Sequence, residues 1–98
     1  MLFGRNKINT EKELVTRCKK HDKKALEQLY KDYGALLKGV SYRYVLDKTT
    51  AEDIVHEGYI KIFGSIQFFE YNGEGSLKAW MTRIIINLSI DYLKIKNK

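Results

Sequence analysis

Leu26, Leu29, Tyr30, Tyr33, Leu37, Val40 and Tyr44 recur at three- and four-residue steps, which is the period of a helix buried along one face. The stripe predicts a long helix over 23–45. Asp22, just before it, is an N-cap residue whose carboxylate can take up free backbone N–H groups of the first turn. Gly34 and Gly39 each weaken such a helix by about 1 kcal/mol relative to Ala, so they are read as points of close helix crossing. The aromatic members Tyr30, Tyr33 and Tyr44 are read as core.

Three further helices flank this one. Thr10-Glu11-Lys12-Glu13 has the spacing of a capping box, and Leu14, Val15 and Cys18 form the inner side of a short helix that ends at Lys19-Lys20. Asp47-Lys48-Thr49 reads as a turn and Thr50 as the next cap, with Glu52 and Asp53 in the first turn against the positive end of the helix dipole. Val55, Tyr59, Ile62, Phe63 and Ile66 make the inner face of that third helix, which Gly58 interrupts without ending. Glu52, Asp53, His56, Glu57 and Lys61 make its outer face. A loop over 67–75 follows, and Ser76 is read as the N-cap of a last helix with Leu77, Trp80, Met81, Ile84, Ile85, Leu88 and Tyr92 inward. Twenty residues of helix span about 30 Å. Ile86, Ile90 and Leu93 widen its apolar arc, so it is expected to be contacted on two sides. The predicted fold is all-α: a compact bundle of about four helices, the last one long.

Ninety-eight residues suffice for one small domain. No apolar run approaches the roughly 20 residues needed to cross a bilayer, and Met1-Leu2-Phe3-Gly4-Arg5 turns polar too soon for a secretory signal. Cys18 is the single cysteine, which precludes an internal disulfide and fits a reducing compartment; the expected localisation is cytoplasmic. Residues 1–9 lack periodicity and read as a flexible basic arm. Net charge is +6 and unevenly spread. Residues 50–76 carry one Lys/Arg against five Asp/Glu, whereas residues 77–98 carry five against one. An acidic element followed by a basic one suggests two surfaces for two partners.

Catalysis finds little support. Asp53 and His56 share a helical face, but a carboxylate-bridged metal site needs a second His-bearing helix and inward carboxylates from the others. His21 lies beside a turn, and the last helix offers only Asp91. Ser41, Ser65, Ser76 and Ser89 have no nucleophile motif around them. Gly73 and Gly75 do not follow a strand as a phosphate cradle requires. No enzyme activity, metal or cofactor is expected.

The 67–75 loop and last helix instead suit single-stranded nucleic acid. Lys78, Arg83, Lys94, Lys96 and Lys98 can neutralise phosphates. Glu70, Asn72, Glu74 and loop backbone groups can meet the edges of an extruded base. Phe68, Phe69, Tyr71 and Trp80 offer stacking worth roughly 1–3 kcal/mol per base, against a cost of a few kcal/mol for extruding one. The competing reading makes Phe68, Phe69 and Trp80 core. Phe68 and Trp80 are expected to be at least partly buried, Tyr71 and Asn72 exposed.

Three segments then carry a resemblance: Ala51-Glu52-Asp53-Ile54-Val55-His56-Glu57-Gly58-Tyr59-Ile60-Lys61-Ile62-Phe63, Gly75-Ser76-Leu77-Lys78-Ala79-Trp80-Met81-Thr82-Arg83-Ile84, and Asn87-Leu88-Ser89-Ile90-Asp91-Tyr92-Leu93. Together with Glu13-Leu14-Val15, Ala25-Leu26 and Leu29-Tyr30-Lys31-Asp32-Tyr33, they resemble region 2 of bacterial sigma-70-family factors, most closely the extracytoplasmic-function (ECF) group, over residues 10–95. The resemblance implies a domain that binds core RNA polymerase through the coiled coil of its β′ subunit. It also implies recognition of the promoter −10 element as it melts for transcription initiation. Asp53, Ile54, His56, Glu57, Ile60 and Lys61 inherit the polymerase-binding role, with His56 standing where the family usually has Gln. The loop Glu70, Tyr71, Asn72, Gly73, Glu74, Gly75, Ser76 inherits capture of a non-template base. Lys78, Arg83 and Asn87 track the strand, with Lys94 beyond them, and Trp80 takes the place of an aromatic at the duplex fork. An anti-sigma factor is a further partner of such proteins. Their second domain, a helix-turn-helix reading the −35 element, is absent from this chain, which is therefore expected to be a trimmed or natural fragment that selects promoters poorly alone. The alternative is a helical protein-interaction module of the same fold without DNA binding.

Overall fold

The computed structural model describes residues 8–97 and contains four α-helices and one 3-10 turn: α1 (Glu11–Lys19), α2 (Lys23–Val45), α3 (Lys48–Ser65), the turn (Ile66–Phe68) and α4 (Ser76–Lys96). Among the described residues there is no strand. The all-α bundle with a long last helix is the predicted architecture. α2, α3 and α4 pack against one another, and α1 lies against α2 and the 3-10 turn.

Local signals set most of the helix starts. The Thr10 hydroxyl accepts from the Glu13 N–H at 3.1 Å and begins α1. Asp22 accepts from Lys24 and Ala25 N–H and begins α2. Its other oxygen pairs with Arg17, whose Nε donates at 2.7 Å. That guanidinium, with the cap bonds, holds the Asp22 carboxyl below its ordinary value. α3 starts three residues earlier than expected because Asp47 is the cap, accepting from the Thr50 N–H at 2.9 Å and the Thr50 hydroxyl at 2.6 Å. Thr50 is thus a first-turn residue serving the cap.

The core follows the helical periods with a few shifts. Leu14, Val15, Cys18, Leu29, Leu37, Ile62, Leu77, Met81 and Ile85 are buried. Burial, followed by the nearby Asp22 charge, pushes the Cys18 thiol up to about 11, so Cys18 is an inert packing residue. In α2, however, Tyr30 and Tyr44 are exposed and only Tyr33 of the three packs on the core. Ser41 takes the buried place near the helix end and hydrogen-bonds Ser89 of α4 at 2.8 Å. The expected close crossings at Gly34 and Gly39 are also corrected: a Cβ at either position would meet nothing within 4 Å. The tight crossing is at Gly58, where a Cβ would run into Ile85.

Of the proposed N-terminal arm, residues 1–7 lie outside the described residues. Ile8 does not fit an arm. It is buried, its N–H donates to Gln28 Oε1 at 3.0 Å, and its carbonyl accepts from Gln28 Nε2 at 2.7 Å.

Candidate nucleic-acid interface

The connection from α3 to α4 is built on the 3-10 turn. Three residues per turn place Ile66 and Phe69 on the same, buried side and leave Phe68 outside, 76% exposed. The expectation that Phe68 is partly buried is therefore corrected; the buried phenylalanine is Phe69. Its ring packs on Trp80 at a centroid distance of 4.8 Å, and Trp80 is half-buried as expected. Tyr71, expected outside, is half-buried against the core, whereas Glu70, Asn72 and Glu74 are exposed.

Gly73 and Gly75 have φ of +105° and +92°, a region that side chains with a Cβ seldom adopt. Gly75, not Ser76, is the N-cap of α4, and it offers no capping side chain. Ser76 is the first helical residue and closes the loop instead. Its hydroxyl donates to the Gly73 carbonyl at 2.7 Å and accepts from the Asn72 N–H at 3.1 Å, while its own N–H donates to the Gly73 carbonyl. The missing cap comes from α1. The Glu11 carboxylate accepts from the Gly75 N–H at 3.0 Å and from the Leu77 N–H at 2.9 Å. In the sequence Glu11 stands only within the capping-box stretch Thr10-Glu11-Lys12-Glu13, because no local pattern links positions so far apart.

Beyond the loop, the outward side of α4 forms a groove of about 690 Å³ lined by Gly75, Lys78, Thr82, Arg83, Ile86 and Asn87, among others. Lys78, Arg83 and Asn87 are thus brought onto one surface at the mouth of the loop. Thr82 and Ile86 were not read as site residues; their signal is the four-residue step Lys78, Thr82, Ile86, which stacks them on one helical row. Lys94 is exposed two turns further on. A groove with two cations, an amide and a hydroxyl above an apolar floor can hold a phosphate–sugar backbone with a base edge or methyl group against Ile86.

The second candidate surface is on α3. Asp53, His56, Glu57, Ile60 and Lys61 are exposed, Ile60 by 71%. Ile54 is not part of this face. It is 5% exposed, because it shares the inward row of Ala51, Val55, Gly58 and Ile62. The His56 ring meets Tyr30 of α2 edge-on, centroids 6.4 Å apart. The neighbouring Tyr59 hydroxyl is buried and donates to the Leu29 and Tyr30 carbonyls at 3.3 and 3.2 Å. Burial raises its pKa, which keeps it neutral. Among the described residues no group of three or more His, Cys, Asp or Glu is gathered to hold a metal ion, and no helix is long and apolar enough to cross a membrane.

The sigma-70 region 2 family model matches residues 29–98. The chain is 34% identical to the ECF RNA polymerase sigma-E factor of Haemophilus influenzae, over 91% of this chain and 46% of that protein. It is 28% identical to the RNA polymerase sigma-H factor of Pseudomonas aeruginosa, over 90% of this chain and 45% of that one. It therefore spans a little under half the length of these relatives. Among solved structures, it is similar to the NMR structure of an engineered region 2 of sigma-E in complex with GTAAAA, with a TM-score of 0.79 and 30% identity, covering 91% of this chain and 90% of that one. The acidic α3, the loop closed by glycines and the grooved α4 are thus the parts of a known domain, and the chain belongs to the sigma-70 region 2 family, as the region 2 domain of an ECF sigma factor.

Proposed function

We propose that this domain docks core RNA polymerase through the outer face of α3 and reads a melted −10 element with the 70–76 loop and the α4 groove. The observation that carries the reading is the likeness, over nine-tenths of both chains, to a region 2 bound to GTAAAA. In this chain the loop runs through Gly75 into a groove holding Lys78, Arg83 and Asn87.

The division of labour follows from exposure and charge. Asp53 and Glu57 present carboxylates to a basic partner surface, and Ile60 adds an apolar contact between them and the end of the helix; the partner is the β′ coiled coil. Ile54 supports that face from beneath without touching the partner. On the other surface, Asn72, Glu70 and Glu74 meet the edges of one extruded non-template base, and Tyr71 and the Phe69–Trp80 pair supply apolar walls. Lys78 and Arg83 hold the flanking phosphates. Residues 10–95 act as this unit, and −35 recognition belongs to a helix-turn-helix domain outside them.

Reconstitution with core RNA polymerase tests both halves at once. Reversing Asp53 and Glu57 to Lys is expected to abolish co-purification with core enzyme while circular dichroism stays unchanged. Asn72→Ala is expected to leave that assembly intact and weaken its hold on single-stranded −10 DNA. Retention of polymerase by the reversed α3 would remove the docking half, and indifference to Asn72→Ala would remove the reading half.

A further inference from the structure

The geometry points to Glu11 as a positioning residue for base reading: from α1, its carboxylate clamps the junction through which the 70–75 loop joins α4. The inference rests on the reading of that loop as the base-capturing element.

Three features give Glu11 this role. First, α4 has no cap of its own, since Gly75 has no side chain and the Ser76 hydroxyl is turned back into the loop. The donors at Gly75 and Leu77 are met by the two oxygens of one carboxylate, at 3.0 and 2.9 Å, where the helix dipole also favours negative charge. Second, Gly73 and Gly75 both adopt positive φ. Glycine confers that freedom in either direction, so the junction needs an outside anchor to keep one conformation. Among the described residues, Glu11 is the side chain from another element that hydrogen-bonds residues 70–77. Third, Glu11 stands on a firm base. It is the first residue of α1, whose cap is Thr10 and whose inner side, Leu14, Val15 and Cys18, is fully in the core.

Charge alone predicts a different outcome from positioning. Removing an anion beside a DNA-binding groove strengthens sequence-independent attraction to phosphates. Loss of the clamp instead lets the loop sample other conformations and erodes discrimination between bases. The two effects separate in selectivity.

The test uses a pool of single-stranded DNA hexamers randomised at every position, with the bound fraction sequenced for the wild type, Glu11→Gln, Glu11→Asp and Asn72→Ala. Glu11→Asp keeps the charge and shortens the reach, so an effect of charge leaves it like the wild type. Both Glu11 variants are expected to hold the pool at least as tightly as the wild type in total. Enrichment at the most selected position should fall by about fivefold or more, the scale of one base pair's discrimination. In the wild type the Gly75 and Leu77 amides should exchange as slowly as those inside α4. Unchanged enrichment in both Glu11 variants, with loss in Asn72→Ala, would overturn the positioning role and leave the loop reading standing. Fast exchange of both amides in the wild type would overturn it as well. A wild type that enriches nothing would overturn the loop reading, and the role of Glu11 with it.

Discussion

Gly58 of α3 lies so close to Ile85 of α4 that a Cβ on Gly58 would collide with the Ile85 Cδ1 atom. The glycine lets the two helices that carry the two proposed surfaces approach at one point, and Ile85, wholly buried, fills the space above it. Gly58→Ala gains about 1 kcal/mol of helix propensity but overpacks this crossing, at a cost of about 1–3 kcal/mol. The expected net result is destabilisation by about 1 kcal/mol. Ile85→Val removes the colliding methyl, and in that background Gly58→Ala should turn neutral or stabilising. Gly34→Ala and Gly39→Ala, with open space around them, should each stabilise by about 1 kcal/mol. Urea unfolding of these variants, combined as a double-mutant cycle, measures the coupling.

The Ser41–Ser89 pair is asymmetric. Ser89 already donates to the Ile85 carbonyl at 2.8 Å, so its single proton is committed and Ser41 must donate to it across 2.8 Å. Ser41→Ala leaves Ser89 bonded. Ser89→Ala strands a buried donor on Ser41, a loss of about 1–3 kcal/mol. Ser89→Ala is therefore expected to be the more destabilising of the two, and the double alanine variant milder than Ser89→Ala alone. Chemical denaturation of the three proteins checks the order.

Acid should loosen the domain from its caps. The Asp22 carboxyl is lowered from 3.8 chiefly by its bond with Arg17, and that of Asp47 chiefly by the Thr50 hydroxyl. A carboxyl lowered in the folded state contributes stability that is present above its unfolded value and is lost as pH falls through the folded one. Stability should thus be flat between about pH 5 and 6 and decline below about pH 4. Asp22→Asn and Asp47→Asn retain caps that do not titrate, so the double variant should show a shallower decline. Thermal unfolding between pH 2.5 and 6 reads it.

Salt dependence distinguishes phosphate contacts from base contacts. With single-stranded GTAAAA as the probe, log K should fall linearly with log salt, and Lys78→Ala or Arg83→Ala should each reduce the slope by about 0.7. Asn72→Ala should lower affinity at every salt concentration without changing the slope. Lys31→Ala, on α2, should change neither. Fluorescence anisotropy titrations of the wild type and the four variants across a salt series give the slopes.

What the sequence determined alone was local. The three- and four-residue steps defined α2 and the inner faces of α3 and α4, and Thr10 and Asp22 marked the starts of α1 and α2. The order of matched segments pointed to the family, because each of these signals is contained within a few turns of helix. It also brought together Lys78, Arg83 and Asn87, which share one side of α4. Tertiary structure decided which members of a stripe are covered. Tyr30 and Tyr44 lie on the stripe yet remain exposed, and Ile54, three residues from Ala51, is turned inward, because coverage depends on where the neighbouring helices lie. The 3-10 turn exchanged the places of Phe68 and Phe69 by tightening the chain from 3.6 to three residues per turn. Gly58 replaced Gly34 and Gly39 as the close crossing once α3 and α4 met there. The cap of α4 came from Glu11, separated from Gly75 and Leu77 by 64 and 66 residues. Such a bond has no local pattern to announce it, and it exists only because the core brings α1 to the mouth of the loop.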